Sequence, residues 1–152
     1  MTPEDLERLR RCVELAKEAT ERGDHPFGSV LVSKDGRVLA ERSNRVVTSG
    51  DVTAHPELHL AQWASLHLTP VERAGATMYT SGEHCAMCAA AQVWAGIGGL
   101  VYVLSAEQIR AVSSASPMIE LTASEVIERS NASVSVSGPC EELSAEAARL
   151  FR

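Results

Sequence analysis

Apolar residues recur at helical spacing through the first twenty positions of the chain. Leu6, Leu9, Val13 and Ala16 follow one another at intervals of three or four, and Gly23 closes the segment. Such spacing is typical of an amphipathic helix with one face turned toward a core, and a glycine commonly ends it. We therefore predict an N-terminal helix that ends near residue 23.

A different pattern follows directly after this helix. Residues 27–33 form a mostly apolar run rich in strand-forming residues, and residues 37–41 form a second such run. Lys34, Asp35 and Gly36 lie between them and are typical turn residues. The two runs therefore predict a β-hairpin.

Beyond the hairpin, helical and strand-like patterns alternate. Residues 44–54 have the composition of a loop. Pro56 is tolerated only near the first turn of a helix, so a helix begins there, and Pro70 ends it. The remaining predicted elements are strand 76–80, helix 85–95, strand 100–104, a helix opened by the capping box at 122–125, an edge strand at 132–137 and a final helix at 141–151. This alternation favours a three-layer α/β/α fold in one domain over residues 1–152.

Composition and charge narrow the class of partner. The chain has 152 residues, with 14 basic and 20 acidic side chains and a formal net charge of −6. Proteins that bind nucleic acid usually carry clusters of lysine and arginine that contact the phosphates. This chain is acidic overall, so we expect no nucleic-acid partner. No stretch of about 18 apolar residues is present, so we expect no membrane span.

The chain begins with a polar, acidic segment that does not resemble an export signal, so we expect a cytoplasmic protein. In a reducing compartment, closely spaced cysteines bind metal or take part in redox chemistry. Cys85 and Cys88 are spaced in this way, whereas Cys12 and Cys140 are isolated. The cysteine pair is therefore a candidate functional site.

Two short motifs offer a complete set of zinc ligands. His55-Pro56-Glu57 and Cys85-Ala86-Met87-Cys88 each lie at the predicted start of a helix. One imidazole and two thiolates leave the fourth position of a tetrahedral Zn²⁺ open to water, which is the pattern of a catalytic site. Zn²⁺ lowers the pKa of such a water to about 7. Glu57 is two residues from His55, where it can move protons without binding the metal.

A His-x-Glu motif followed by Cys-x-x-Cys is the signature of zinc nucleobase deaminases. The chain resembles the cytidine deaminase superfamily, and within it the branch of guanine deaminases and tRNA adenosine deaminases. The resemblance covers roughly residues 24–104. It rests on Pro26-Phe27-Gly28, on Asn44, on the approach Asp51-Val52-Thr53-Ala54-His55, and on the segment from Thr80 to Cys88.

This resemblance implies a cytidine-deaminase-like fold with a five-stranded mixed sheet, a homodimer, and hydrolysis of an exocyclic amine to a carbonyl. It implies Zn²⁺ held by His55, Cys85 and Cys88, with Glu57 as the proton shuttle. The resemblance further implies that the substrate is contacted by a set of side chains around the metal: Asn44, Phe27, Ala54 and Trp94.

The chain departs from the family pattern at two positions near the ligands. Pro56 stands where the family usually has alanine, and His84 stands where it usually has proline. Both changes reshape the rim of the pocket, and His84 becomes a candidate substrate contact. Guanine deaminases also use a downstream acidic residue, for which Glu120 is the nearest substitute.

Several functions remain open at this point. Guanine leads as substrate, followed by cytosine, 5-substituted cytosines and aminated triazines. A tRNA adenosine deaminase keeps the chemistry but conflicts with the acidic charge. Cys85 and Cys88 could instead form a redox dithiol, since a strand followed by Cys-x-x-Cys on a helix is also the thioredoxin context. A structural zinc site without activity is a further alternative, although it leaves Glu57 without a role.

Overall fold

The computed structural model describes residues 1–152. Five strands and eight helices alternate along the chain. The strands are β1 (Gly28–Val32), β2 (Val38–Ser43), β3 (Thr77–Gly82), β4 (Gly99–Leu104) and β5 (Ser135–Ser137). The helices are α1 (Pro3–Arg22), α2 (Val46–Ser49), α3 (Pro56–His67), α4 (Pro70–Gly75), α5 (Ala86–Ala95), α6 (Ala106–Val112), α7 (Ala123–Glu128) and α8 (Glu141–Arg149).

The strands form one mixed sheet in the order β2-β1-β3-β4-β5. β1 pairs antiparallel with both β2 and β3, whereas β4 pairs parallel with β3 and β5. The prediction of a five-stranded mixed sheet is confirmed, as is the position of the last strand at an edge. The parallel half brings the carboxyl ends of β3 and β4 to the same side of the sheet.

Alternating side chains of the sheet face two separate helical layers. Val30 and Val103 lie in the cluster formed with α1 and α8, whereas Leu31 and Met78 lie in the cluster formed with α3 and the end of α5. A third cluster joins Leu100 to α5 and α7. The sheet is therefore covered on both faces, which confirms the three-layer α/β/α fold.

The helix boundaries correct two predictions. Pro70 was expected to end a helix, but α3 already ends at His67 and Pro70 is the first residue of α4. Thr69 and Glu72 form a capping box there, so the proline lies where its missing N–H costs no hydrogen bond. The short helix α2 likewise lies within the segment predicted as a loop.

α6 was not predicted at all. Its N-cap is Ser105, whose Oγ accepts a hydrogen bond from the backbone N–H of Gln108. Gln108 Oε1 in turn accepts a hydrogen bond from the backbone N–H of Ser105. The helix is only seven residues long and has no buried residue, so its apolar pattern is too weak to indicate a helix.

Gly28 sets the distance between α1 and the sheet. A Cβ atom at this position would lie 2.4 Å from Leu15 Cβ and 2.6 Å from the carbonyl oxygen of Cys12. Because no side chain fits there, the glycine allows the backbone of β1 to contact α1 directly. The start of β1 is thereby fixed against the helix.

Two cysteines lie in the core away from the Cys-x-x-Cys motif. Cys12 is 0% exposed and Cys140 is 4% exposed, and both belong to the cluster between the sheet, α1 and α8. Burial raises the pKa of the Cys12 thiol well above its usual range. No helix of the structure has the length and apolar content to cross a bilayer.

Candidate active site

The three expected zinc ligands meet where two helices begin. His55 is the N-cap residue of α3, Cys85 is the N-cap residue of α5, and Cys88 lies in the first turn of α5. α3 and α5 pack side by side. One ligand atom from each residue lies within 4.8 Å of the other two.

The spacing of these atoms suits a tetrahedral metal ion. His55 Nδ1 lies 3.6 Å from Cys85 Sγ and 3.6 Å from Cys88 Sγ. With Zn–S near 2.3 Å and Zn–N near 2.0–2.1 Å, tetrahedral geometry separates sulfur from nitrogen by about 3.6 Å. The donor set and the observed distances therefore both fit Zn²⁺.

The two thiols differ in their electrostatic surroundings. The hydrogen bond from Cys88 has the largest effect on the pKa of Cys85. Together with the hydrogen bond to His55, it lowers this pKa to about 4, although burial alone would raise it. The same hydrogen bond, burial and the nearby Glu57 raise the pKa of Cys88. The surroundings thus favour the thiolate form of Cys85, which is the form that binds a metal.

Glu57 lies beside the ligands but is held by other groups. It is 4% exposed, and its Oε1 accepts a hydrogen bond from Thr80 Oγ1 at 3.1 Å. Thr80 Oγ1 in turn accepts a bond from Ser29 Oγ at 2.9 Å. Glu57 Oε2 lies 3.5 Å from Cys88 Sγ. The carboxylate is thus oriented by β1 and β3 and directed at the ligand cluster, a geometry suited to proton transfer.

Thr80 and Ser29 were not predicted as site residues. Each occupies an interior position on a strand, and both are fully buried. Their connection to Glu57 depends on the pairing of β1 with β3, which aligns Ser29 with Thr80. No local pattern in the sequence contains that information.

Asn44 follows β2 and offers one free polar group. Its Oδ1 accepts a hydrogen bond from the backbone N–H of Val46 at 3.0 Å, and its own N–H donates to the carbonyl of Phe27 at 2.9 Å. Its Nδ2 has no hydrogen-bond partner in the chain, and the residue as a whole is buried, with 2% exposed. Because Oδ1 is occupied, Asn44 can act toward a ligand only as a hydrogen-bond donor.

The other two expected substrate contacts on the near side of the sequence are Ala54 and Phe27, which directly precede His55 and the first residue of β1. Ala54 directly precedes His55 and is 2% exposed, and its carbonyl accepts a bond from the N–H of Arg45. Phe27 is half-buried and meets Phe151 edge to face, with 5.4 Å between the ring centroids. The structure thus gives Phe27 a packing partner from the C-terminus.

His84 is buried rather than exposed to a ligand. Its Nε2 lies 2.6 Å from Gln92 Oε1, and Gln92 Nε2 donates to the carbonyl of Gly99 at 2.9 Å. Its Nδ1 is buried without a partner, and burial lowers the pKa of the imidazole. Neither ring nitrogen is accessible, so the structure does not support the expected polar contact of His84 with a substrate. Instead, the side chain links the start of α5 to β4.

Glu83 was missed although it lies two residues before Cys85. Its two carboxylate oxygens accept hydrogen bonds of 2.7 Å from the backbone N–H groups of Ala106 and Ala123. These are the first residues of α6 and α7. One buried carboxylate therefore joins two helix N-termini to the end of β3, where their dipoles favour a negative charge.

Two expected substrate contacts are not brought to the site. Trp94 is 86% exposed, because the buried face of α5 is formed by Cys88, Ala89, Gln92 and Ala95 and the tryptophan lies on another face. Glu120 is exposed in the segment between α6 and α7 and makes no hydrogen bond. The structure therefore does not support a pocket role for either residue within one chain.

Comparison with known proteins places this geometry in a family. The model of MafB19-like deaminases matches residues 4–142. The chain belongs to this family. A probable cytosine deaminase of Schizosaccharomyces pombe is 30% identical over 142 residues, which cover 91% of this chain and 86% of that protein.

Other relatives of this MafB19-like deaminase act on different substrates. A guanine deaminase of Bacillus subtilis is 43% identical over 88 residues, which cover 57% of this chain and 56% of that protein. tRNA-specific adenosine deaminases are also among the relatives. A solved guanine deaminase of Nitrosomonas europaea shares the fold, with a TM-score of 0.75 at 23% identity. The match covers 99% of this chain and 84% of that protein.

These relatives confirm the resemblance to the cytidine deaminase superfamily. The protein is a deaminase of the nucleobase or tRNA type, and its homologues indicate hydrolytic chemistry. The His55, Cys85 and Cys88 cluster can hold a metal ion.

Proposed function

We propose that this protein is a zinc-dependent hydrolase that deaminates a free nucleobase, with guanine as the first candidate. The observation that carries the proposal is the position of Glu57 beside the cluster of His55, Cys85 and Cys88. An imidazole, two thiolates and a buried carboxylate beside them form the complete set for this reaction. We propose that residues 1–152 act as one catalytic unit.

Each group has a separate task in this reaction. His55, Cys85 and Cys88 would hold Zn²⁺, which would supply a nucleophile at neutral pH because it lowers the pKa of water to about 7. Glu57 accepts a proton from the attacking water and delivers it to the ring nitrogen next to the amine-bearing carbon. Glu57 then takes the second proton of that water, from the hydroxyl on the ring carbon, and transfers it to the leaving amine as the carbon–nitrogen bond breaks. The water oxygen becomes the product carbonyl, and nitrogen leaves as ammonia.

The hydrogen bond from Thr80 to Glu57 Oε1 supports this assignment of roles. It occupies one carboxylate oxygen at 3.1 Å and leaves Oε2 facing the ligand cluster. A carboxylate fixed in this way moves protons between two positions without rotating. Asn44 adds a donor, through Nδ2, for an oxygen or an unprotonated nitrogen of the base.

Cytosine is the second candidate, because the probable cytosine deaminase matches nearly the whole chain. Glu120 is exposed and makes no hydrogen bond, so it gives no support to guanine as the substrate. tRNA is the third candidate, and the net charge of −6 argues against it.

We further propose a homodimer in a reducing compartment such as the cytoplasm. Leu66 on α3 and Trp94 on α5 are 81% and 86% exposed, which is unusual for large apolar side chains on two adjacent helices. A second copy of the chain would cover them. A reducing compartment keeps Cys85 and Cys88 available as metal ligands.

The test is ammonia release by the zinc-loaded protein from guanine, cytosine, adenine, their nucleosides, an aminotriazine and a tRNA. Glu57→Gln is the blank, because it keeps the shape of the side chain and leaves the metal ligands intact. Glu72→Gln, at an exposed helix cap, is the matched control and should retain activity.

The outcomes separate the candidates. Release from guanine alone, abolished by Glu57→Gln, supports the first candidate, and release from cytosine alone selects the second. Binding of 8-azaguanine, the ligand of a structural neighbour, would independently support a purine site. Silence across the panel in a protein that takes up no zinc would contradict the proposal and favour a redox dithiol at Cys85 and Cys88.

A further inference from the structure

A buried ion pair lies at the end of α1, outside the motifs that form the metal cluster. Arg22 is the last residue of α1, and Asp24 follows the glycine that ends the helix. Arg22 Nε donates to Asp24 Oδ2 at 2.8 Å. The side chain of Asp24 has no exposed surface, and that of Arg22 is 27% exposed.

This ion pair contacts the chain on both sides of Asn44. Arg22 Nη2 donates to the carbonyl of Asn44 at 2.7 Å and to Ser43 Oγ at 3.0 Å. Asp24 accepts hydrogen bonds from both the N–H and the hydroxyl of Thr48, each at 2.8 Å. Four hydrogen bonds therefore hold residues 43–48 against the end of α1.

Together with these bonds, every polar atom of Asn44 but one is occupied. The carbonyl accepts from Arg22, the N–H donates to Phe27, and Oδ1 accepts from Val46. Only Nδ2 lacks a hydrogen-bond partner in the chain, and the side chain around it is buried. The direction of this N–H donor is thus fixed by the position of the backbone, which the ion pair in turn fixes.

We propose that Arg22 and Asp24 are positioning residues that orient Asn44 Nδ2 as a hydrogen-bond donor toward the bound base. This inference rests on the proposed nucleobase deaminase activity. It assigns no direct contact with substrate to either residue. The base recognised in this way carries a hydrogen-bond acceptor, a carbonyl oxygen or an unprotonated ring nitrogen, on the side that faces Asn44.

A second ion pair of α1 offers a comparison. Arg11 bonds Glu41 on β2 at 3.0 Å, as Arg22 bonds the segment after β2, but its side chain is 36% exposed and also faces Glu14 and Glu18. None of the Arg11 contacts reaches residues 43–48, so this pair has no link to Asn44. Arg22 forms an ion pair with Asp24 and with no other carboxylate, so the two residues hold one arrangement.

The test is a double-mutant cycle with Arg22→Met and Asn44→Ala, measured as kcat/KM for guanine, or for cytosine if that base is turned over. We expect Arg22→Met to lower kcat/KM by about 10-fold to 100-fold, since small misplacements of a binding group have effects of this size. In the Asn44→Ala background, the same substitution should change kcat/KM less than about 2-fold, because the group it orients is gone. Arg11→Met is the matched control and should leave kcat/KM unchanged in both backgrounds.

Equal losses in both backgrounds would overturn the inference, because a general structural effect is additive. A second measurement does not depend on activity. In the zinc-loaded protein, the ¹H–¹⁵N resonances of the Asn44 side-chain amide should shift or broaden in Arg22→Met and remain unchanged in Arg11→Met. Unchanged Asn44 resonances in Arg22→Met would overturn the inference, even if no base in the panel were deaminated and the proposed function itself had failed.

Discussion

Glu83 offers the sharpest prediction for stability, because its carboxylate accepts hydrogen bonds from the first backbone N–H groups of two helices. Both of its oxygens accept bonds of 2.7 Å, from Ala106 and Ala123, and the residue is only 8% exposed. In Glu83→Gln, the amide keeps one acceptor and directs an NH₂ group at the other N–H. One hydrogen bond is lost, and the other no longer involves a charge.

The structure allows the size of this effect to be worked out. A hydrogen bond to a charged group contributes about 1.5–3 kcal/mol, and a neutral one contributes about 1 kcal/mol. The interaction of the charge with two helix dipoles adds about 0.3–1 kcal/mol for each helix. The lost charged bond, the change of the other bond to a neutral one and the two dipole interactions together predict that Glu83→Gln lowers the free energy of unfolding by about 3–7 kcal/mol.

The assay is urea unfolding followed by circular dichroism, with the free Zn²⁺ concentration held constant because metal binding shifts apparent stability. Glu125→Gln is the matched control, since Glu125 also accepts a helix-start N–H, from Thr122, but at an exposed position. Its loss should be clearly smaller. If Glu83→Gln lost no more stability than Glu125→Gln, the two-helix role of Glu83 would be refuted.

Three further predictions follow from the same coordinates. Glu57→Gln should reduce kcat by at least about 10²-fold at unchanged zinc content, because in the proposed mechanism Glu57 moves protons and does not bind the metal; kinetics and metal analysis check this. Burial favours the neutral form of Asp24, but the Thr48 and Arg22 hydrogen bonds outweigh it and lower its pKa from 3.8 to about 2. This stabilisation is present above pH 4 and is lost as the pH falls toward 2, so acid unfolding should depend less on pH in Asp24→Asn. Gly28→Ala should lower the free energy of unfolding by about 1–3 kcal/mol or more in thermal unfolding, because its Cβ would meet Leu15 and the Cys12 carbonyl.

The metal cluster was predictable from sequence because its chemistry is encoded locally. His55, Cys85 and Cys88 belong to two compact motifs, and the identities and spacing of these residues limit what they can bind. The order of helices and strands then indicated that two helix starts would meet. The three-layer fold followed from the same alternation of patterns, and both expectations agree with the structure.

The groups that support the cluster were not predictable in this way. Glu83 meets Ala123, 40 residues later in the chain, and Thr80 meets Ser29, 51 residues earlier. Such contacts depend on strand register and on helix placement, which single-sequence patterns do not specify. The interpretation of Trp94 failed for a related reason. Whether a helical residue faces a pocket depends on which side of the helix the rest of the fold covers.

The capping box at the start of α4 shows a different limit on predicting helix boundaries from sequence. Thr69 and Glu72 form one at the start of α4, and both residues are plain in the sequence. Pro70 between them was interpreted as the end of the preceding helix. A proline is compatible with either meaning, because it ends one helix and suits the first turn of the next. The turn at Leu68 that separates the two helices decides between them.

The burial of Cys12 and Cys140 has a practical consequence for work on the protein. Both lie in the core and are inaccessible to a thiol reagent while the chain is folded, whereas Cys85 remains partly exposed. Cys88 is also 0% exposed, so fast reaction of the native protein with such a reagent reports on Cys85 alone. A bound metal ion would protect Cys85, so the fraction of chains with a fast-reacting thiol serves as an internal gauge of metal occupancy, readable without removing the protein from its buffer.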